Sequence, residues 1–285
     1  MKNKVIIISG AARSGTSILG KILGSCKKVE YLYEPETFNY LSFLRNKVEN
    51  KVWKNLIERY LTENFLRLVN GRSLNFRNGE NSSIKTIKSN REIKLKFSKE
   101  ISELDFYDYI DKNKISFLIK SPNLEFSSFK KDFPNFKMII INRNPYQVIN
   151  SLMNKNWFKN KNYLKTFLPS VKINGSFYPL FMKKKYLKMW HNSNECTKCA
   201  IYLLCCEDEI KKIKNKIIIQ YDDLIKSPKV ITNRLLKRLG LSKSKKTHKI
   251  LNNINLSKTA RKVNILNIKR NIPKGILKKI EKLYK

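Results

Sequence analysis

Apolar positions along the chain gather into a few short unbroken runs that alternate with stretches of helical spacing. Lys4 to Ser9 (KVIIIS), Ile115 to Lys120 (ISFLIK), Lys137 to Asn142 (KMIIIN) and Lys216 to Tyr221 (KIIIQY) have continuously apolar centres, the pattern of strands buried on both faces. From Ser14 onward, Ile18, Leu19, Ile22 and Leu23 follow helical spacing. A second helix runs around Val230 to Leu239, after Ser227-Pro228, and is stopped by Gly240. After the third strand, Asn144 is a favourable N-cap and Pro145 a favourable first helical residue. Tyr186 to Lys212 reads as one long helix. Buried strands alternating with helices predict an α/β fold with a central parallel sheet in a three-layer α/β/α arrangement.

Between these units, residues 38–110 read as helical and residues 155–185, with Pro169, Gly175 and Pro179, as a loop-rich insertion. The Lys-rich tail from Lys243 reads as amphipathic helix plus loop. With 285 residues and 41% hydrophobic side chains, the chain can build an ordinary core, and a single domain over residues 1–285 is expected. No uncharged apolar run reaches the roughly 18 residues of a membrane span, so no transmembrane segment is expected and the default compartment is the cytoplasm.

Five cysteines are too few and too clustered for a disulfide framework. Cys196 and Cys199 form a C-x-x-C near Cys205 and Cys206, which raises a metal site. On one helix, however, Cys199 and Cys206 share a face with Cys205 beside them, so core packing without metal is the expectation.

Sixty Lys and Arg against 22 Asp and Glu give a net charge of +38. Such a balance suggests nucleic acid or an anionic membrane. Here the basic residues are spread along the chain, mostly as Lys, so no specific nucleic-acid partner is expected. Small anionic ligands meet an attractive field.

Gly10 to Ser17 reads GAARSGTS between a strand and a helix, the context of a phosphate-cradling loop. It keeps both glycines and the final hydroxyl of the nucleoside-triphosphatase form G-x-x-x-x-G-K-S/T but carries Thr16 where that form has lysine. Backbone N–H groups, the hydroxyls of Ser14, Thr16 and Ser17, the Arg13 guanidinium and the positive helix end next to Gly15 can still hold a smaller anion. A second anion site is predicted where Arg143 ends a strand. Ser151, eight residues on, lies about two helical turns in, where it and the guanidinium can converge on one phosphate. Two separated phosphate sites fit a 3',5'-bisphosphate nucleotide.

Together these elements resemble the sulfotransferases that use 3'-phosphoadenosine 5'-phosphosulfate (PAPS), looking closer to their bacterial and carbohydrate-type branch. YEPETF at Tyr33–Phe38, IKSP at Ile119–Pro122 and Gln220–Leu241 carry the likeness further, in family order from about residue 4 to 241. The resemblance implies a P-loop-type α/β fold, with the loop at Arg13–Ser17 on the 5'-phosphosulfate and Arg143 and Ser151 on the 3'-phosphate. It implies PAPS as co-substrate, no required metal, and a hydroxyl acceptor on a small molecule or glycan, with carbohydrate or glycolipid foremost. Acceptor recognition is expected in residues 38–110 and 155–185. The sequence departs from the cytosolic branch: neither His191 nor His248 follows a strand of the sheet, and Arg261-Lys262 lacks the glycine of that branch's C-terminal loop.

Glu-Pro segments like Glu34-Pro35 supply the base in some branches, which makes Glu34 the candidate general base, with Glu36 its obvious competitor. Lys120, at the C-terminal end of its strand, is the candidate for stabilising charge on the reacting oxygens. Tyr221 is expected in the core, and Asp222 and Asp223 as helix caps. The alternatives are a P-loop kinase, against which Thr16 counts, and a basic nucleic-acid-binding protein.

Overall fold

A computed structural model describes residues 5–80, 82–122, 129, 131–159, 164, 170–254 and 263–283. The central sheet contains β1 (Val5–Ser9), β2 (Val29–Tyr33), β3 (Ser116–Lys120), β4 (Lys137–Asn142) and the later strand Ile217–Gln220. All its pairings are parallel, in the order β2-β3-β1-β4 followed by Ile217–Gln220. β1 is central: Ile7 is in register with Ile119 on one side and Met138 on the other.

Helices cover both faces, as the continuous apolar runs require. The helices described between β1 and β4 include α1 (Thr16–Gly24), α2 (Glu36–Phe43), α3 (Asn50–Val69), α4 (Ile84–Ile87), α5 (Asn90–Phe97) and α6 (Phe106–Asn113). Then follow α7 (Pro145–Met153), the antiparallel hairpin β5 (Ser170–Ile173) and β6 (Ser176–Pro179), α8 (Leu187–His191), α9 (Glu195–Lys212) and β7 (Ile217–Gln220). The chain ends in α10 (Tyr221–Lys226), α11 (Pro228–Leu239), α12 (Lys245–Asn252), α13 (Ile265–Arg270) and α14 (Lys274–Lys282).

The period of two along a strand sorts β1 between two cores. Val5 and Ile7 pack with Trp53, Ile57, Leu61 and Phe65 of α3, whereas Ile6 and Ile8 pack with Leu19, Ile22 and Leu23 of α1. A third cluster joins α7, α9 and α14 around Tyr202 and Phe158. Gly20 and Gly24 let α1 lie directly on β2: a Cβ at Gly20 would stand 2.2 Å from the Tyr31 hydroxyl.

Three details differ from the sequence-based expectation. β2 is an added strand; its sequence VEYLY places Glu30 in an ion pair with Lys96 at 2.5 Å, so its pattern is not continuously apolar. The single helix expected over Tyr186–Lys212 is broken, because Asn194 caps α9 by accepting from the Thr197 N–H at 2.8 Å. Tyr221 opens α10 rather than ending β7. The insertion at residues 155–185 contains the β5–β6 hairpin, and Gly240 ends α11 in the left-handed conformation (φ 62°). No described helix is long and apolar enough to cross a membrane.

Candidate active site

All five strands of the central sheet are parallel, so their C-terminal ends meet on one edge, where open α/β sheets bind ligands. A cleft of about 520 Å³ lies there, with Arg13, Ser17, Glu34, Lys120, Arg143 and Tyr221 among its walls. Every strand of the sheet thus delivers a side chain at or just beyond its end.

Two glycines shape the loop after β1. Gly10 (φ 144°) passes so close to β4 that a Cβ would lie 2.5 Å from the Ile141 carbonyl oxygen, and at Gly15 (φ 108°) it would lie 2.3 Å from the Tyr221 ring. Arg13 between them is left-handed at φ 71°. The Ser14 N–H donates to the Ala11 carbonyl at 3.1 Å, and the Ala12 N–H donates to the Tyr202 hydroxyl at 2.6 Å. Gly15 gives α1 no side-chain cap, so the first-turn N–H groups and the positive helix end face the cleft. Arg13, Gly15, Thr16 and Ser17 line it; Ser14 is buried under the loop, its hydroxyl without a hydrogen-bond partner among the described residues.

At the end of β4, the Asn144 side chain accepts from the Tyr146 and Gln147 N–H groups and starts α7 with Pro145 in its first turn, as expected. Arg143 donates from Nε to Gln147 Oε1 at 2.8 Å and from Nη1 to the Arg13 carbonyl at 3.0 Å, and lies 4.3 Å from the Tyr221 ring centroid. Burial lowers its pKa, while Tyr221 and Asp222 oppose that shift. Arg13 Nε donates to Ser151 Oγ at 3.1 Å. The two predicted anion-binding groups, 138 residues apart, are therefore in direct contact.

Glu34 follows β2 in a left-handed conformation (φ 44°), its N–H donating to the Lys120 carbonyl at 2.8 Å. This turn aims the carboxylate into the cleft, where it forms an ion pair with the buried Lys120 ammonium. Lys120 Nζ also lies 4.6 Å from the Tyr33 ring centroid. Burial lowers the Lys120 pKa below its ordinary value and Glu34 counteracts this. Glu36, the competitor, occupies the first turn of α2 and is not among the lining residues.

Four residues escaped the sequence reading. Tyr33 lies 3.5 Å from Ser17 Oγ through its hydroxyl, Gln147 orients Arg143, Trp157 reaches the cleft wall, and Tyr202 holds the loop from α9. Tyr33 and Gln147 stood inside motifs already singled out; nothing local marked Trp157 or Tyr202. Tyr221 is buried as expected, yet it also lines the cleft and stacks with Arg143. Asp222 and Asp223 lie exposed in the first turn of α10.

His191 packs 4.4 Å from Tyr178 and His248 lies in α12; neither lines the cleft. All five cysteines are free and buried, and no cluster of three His, Cys, Asp or Glu suited to a metal ion occurs among the described residues. Arg261 and Lys262 lie outside the described residues.

A sequence model described as the sulfotransferase family matches residues 5–245. A search of the curated proteins gives no match. Among solved structures, the chain is similar to the sulfotransferase domain of the curacin biosynthetic pathway, at 15% identity and a TM-score of 0.45 over 97% of this chain and 90% of that one. It is also similar to the sulfotransferase domain of the Synechococcus PCC 7002 olefin synthase, at 12% identity and 0.42 over 100% and 96%. A sulfotransferase from Alicyclobacillus acidocaldarius aligns at 12% identity and 0.43 over 94% and 89%. With the family match running from β1 to the start of α12, through every strand that feeds the cleft, the chain belongs to the PAPS-dependent sulfotransferase family.

Proposed function

We propose that this cleft transfers the sulfuryl group of PAPS to an acceptor hydroxyl, with Arg13–Ser17 on the 5'-phosphosulfate and Arg143 and Ser151 on the 3'-phosphate. The observation that carries this reading is the Arg13–Ser151 contact at 3.1 Å together with the Arg143 bond to the Arg13 carbonyl at 3.0 Å, which bring both Ser151 and the Arg143 guanidinium to the helix-end anion cradle. A ligand with one phosphate satisfies only half of it. The uncapped first turn of α1 offers N–H donors that a phosphosulfate would satisfy. An adjoining groove shares Ile18 and Lys21 with the cleft and continues to Ile225, Ile250 and Ile254, an apolar berth for the adenine.

In the transfer, the acceptor oxygen attacks sulfur, the bond from sulfur to the bridging phosphate oxygen breaks, and the hydroxyl proton goes to the Glu34 carboxylate. The Lys120 ammonium stabilises negative charge on the departing bridging oxygen or the sulfuryl oxygens. Because Lys120 also pairs with Glu34, base and electrostatic stabiliser are positioned by one contact. We assign the acceptor to carbohydrates or glycolipids: Glu34 and Lys120 offer hydrogen bonds to hydroxyls, and Trp157, from the 155–185 insertion, offers a ring on which the apolar face of a sugar can stack. The whole chain is read as one sulfotransferase domain, and its free cysteines suit a reducing cytoplasm.

Isothermal titration with adenosine 3',5'-bisphosphate tests the donor assignment. Micromolar binding is expected, with ATP and magnesium much weaker, and Arg143→Ala should cost at least tenfold, in line with the roughly 1.5–3 kcal/mol of a charge-assisted hydrogen bond. Absence of bisphosphate binding to the folded protein overturns the reading.

A further inference from the structure

We infer that Tyr202 is a positioning residue for the donor loop, and that through it the 155–185 insertion is mechanically joined to that loop; this rests on the donor reading above. Loop and tyrosine are 190 positions apart, yet the Ala12 N–H donates to the Tyr202 hydroxyl at 2.6 Å, and both residues are buried. A buried N–H in a tight loop must find an acceptor. The backbone offers Ala12 none in this turn: the bond that closes it runs from Ser14 to Ala11. The phenol is further fixed by a side-chain hydrogen bond with Cys206, one turn along α9.

The ring of Tyr202 is held from the other direction. Phe158 and Phe181 pack against it at centroid distances of 5.6 and 4.9 Å, and both belong to the insertion. Phe158 directly follows Trp157, which lines the cleft. One rigid side chain therefore touches the donor loop with its hydroxyl and the acceptor-side insertion with its ring. A shift of Trp157 and Phe158 on acceptor binding would be felt at Ala12, beside the Arg13 that reaches Ser151.

The test is Tyr202→Phe, which keeps the ring packing and removes the acceptor. Hydrogen exchange resolved to the Ala12 amide, and titration with adenosine 3',5'-bisphosphate, are run on wild type and variant beside their melting temperatures. Expected are a protected Ala12 amide in wild type, exchange accelerated at residues 10–17 in the variant, and bisphosphate affinity lowered about tenfold. Unprotected Ala12 in wild type overturns the positioning role. So does wild-type binding that the variant retains unchanged, including a variant that only melts earlier. If the folded wild type does not bind the bisphosphate at all, the donor reading falls and the positioning role falls with it, while the exchange data still report the Ala12–Tyr202 bond.

Discussion

Lys120→Met separates a functional ion pair from a structural one. Moving an ammonium out of water costs several kcal/mol, whereas its attraction to a carboxylate at contact distance returns about 4 kcal/mol at an effective dielectric near 20. Lys120 is 2% exposed but the Glu34 side chain is 42% exposed, so water weakens the attraction without relieving the lysine. Methionine has similar length and no charge, and the released Glu34 can hydrate. The variant should therefore be as stable as wild type or more so, by about 1 kcal/mol, roughly 2 °C in a chain of this size. Sulfuryl transfer, followed as bisphosphate released from PAPS, should fall about 10²–10³-fold, the usual effect of removing one electrostatic stabiliser.

The stability difference carries a signature in pH. Burial holds the folded Lys120 below the ordinary 10.5, so between its folded value and 10.5 the native state binds fewer protons than the unfolded chain. Stability of the wild type then rises with pH through that window, and the penalty is full below it. The melting-temperature advantage of Lys120→Met should accordingly be largest below that window and shrink as pH rises toward 10.5. A variant that melts several degrees lower at pH 7 and turns over normally would refute the reasoning and make Lys120 a purely structural residue.

Other perturbations follow from the same geometry. Glu34→Gln should lower turnover by about 10²–10⁴ with little change in bisphosphate affinity; it should also move any alkaline loss of the residual rate to lower pH, because Glu34 is what raises the Lys120 pKa. Gly15→Ala, whose Cβ would meet the Tyr221 ring at 2.3 Å at φ 108°, should abolish bisphosphate binding in titration and lower the melting temperature. Asn144→Ala removes the cap of α7 and should cost about 1 kcal/mol in urea unfolding while weakening bisphosphate binding, since α7 carries both Gln147 and Ser151.

The sequence by itself determined the elements whose causes are local. Runs such as KMIIIN have one favourable state, a strand buried on both faces, and Asn144-Pro145 can hardly do other than start a helix. The positions of Arg13–Ser17, Lys120 and Arg143 were legible because each stands where a strand ends or a helix begins, and a parallel sheet gathers those points on one edge; Ser151 followed from helical spacing and Glu34 from the Glu-Pro likeness. Five spaced motifs in family order then carried the likeness that the match over residues 5–245 bears out. β2 was not legible, since its Glu30 is paid for by Lys96, 66 residues away.

Only the tertiary structure decided which side chains meet. Sequence placed Lys120 at a strand end and Glu34 in a Glu-Pro segment without coupling them; their ion pair depends on β2 and β3 being neighbours in register, Tyr33 opposite Lys120. It placed Arg13 and Ser151 in separate subsites, which the order β3-β1-β4 brings into contact. Nothing local marks Tyr202 within its helix, and its hydroxyl acquires meaning only where α9 passes under the loop. Local patterns fix an element through short-range sterics and burial, whereas a site is a set of long-range coincidences that chain connectivity does not reveal until the sheet order is known.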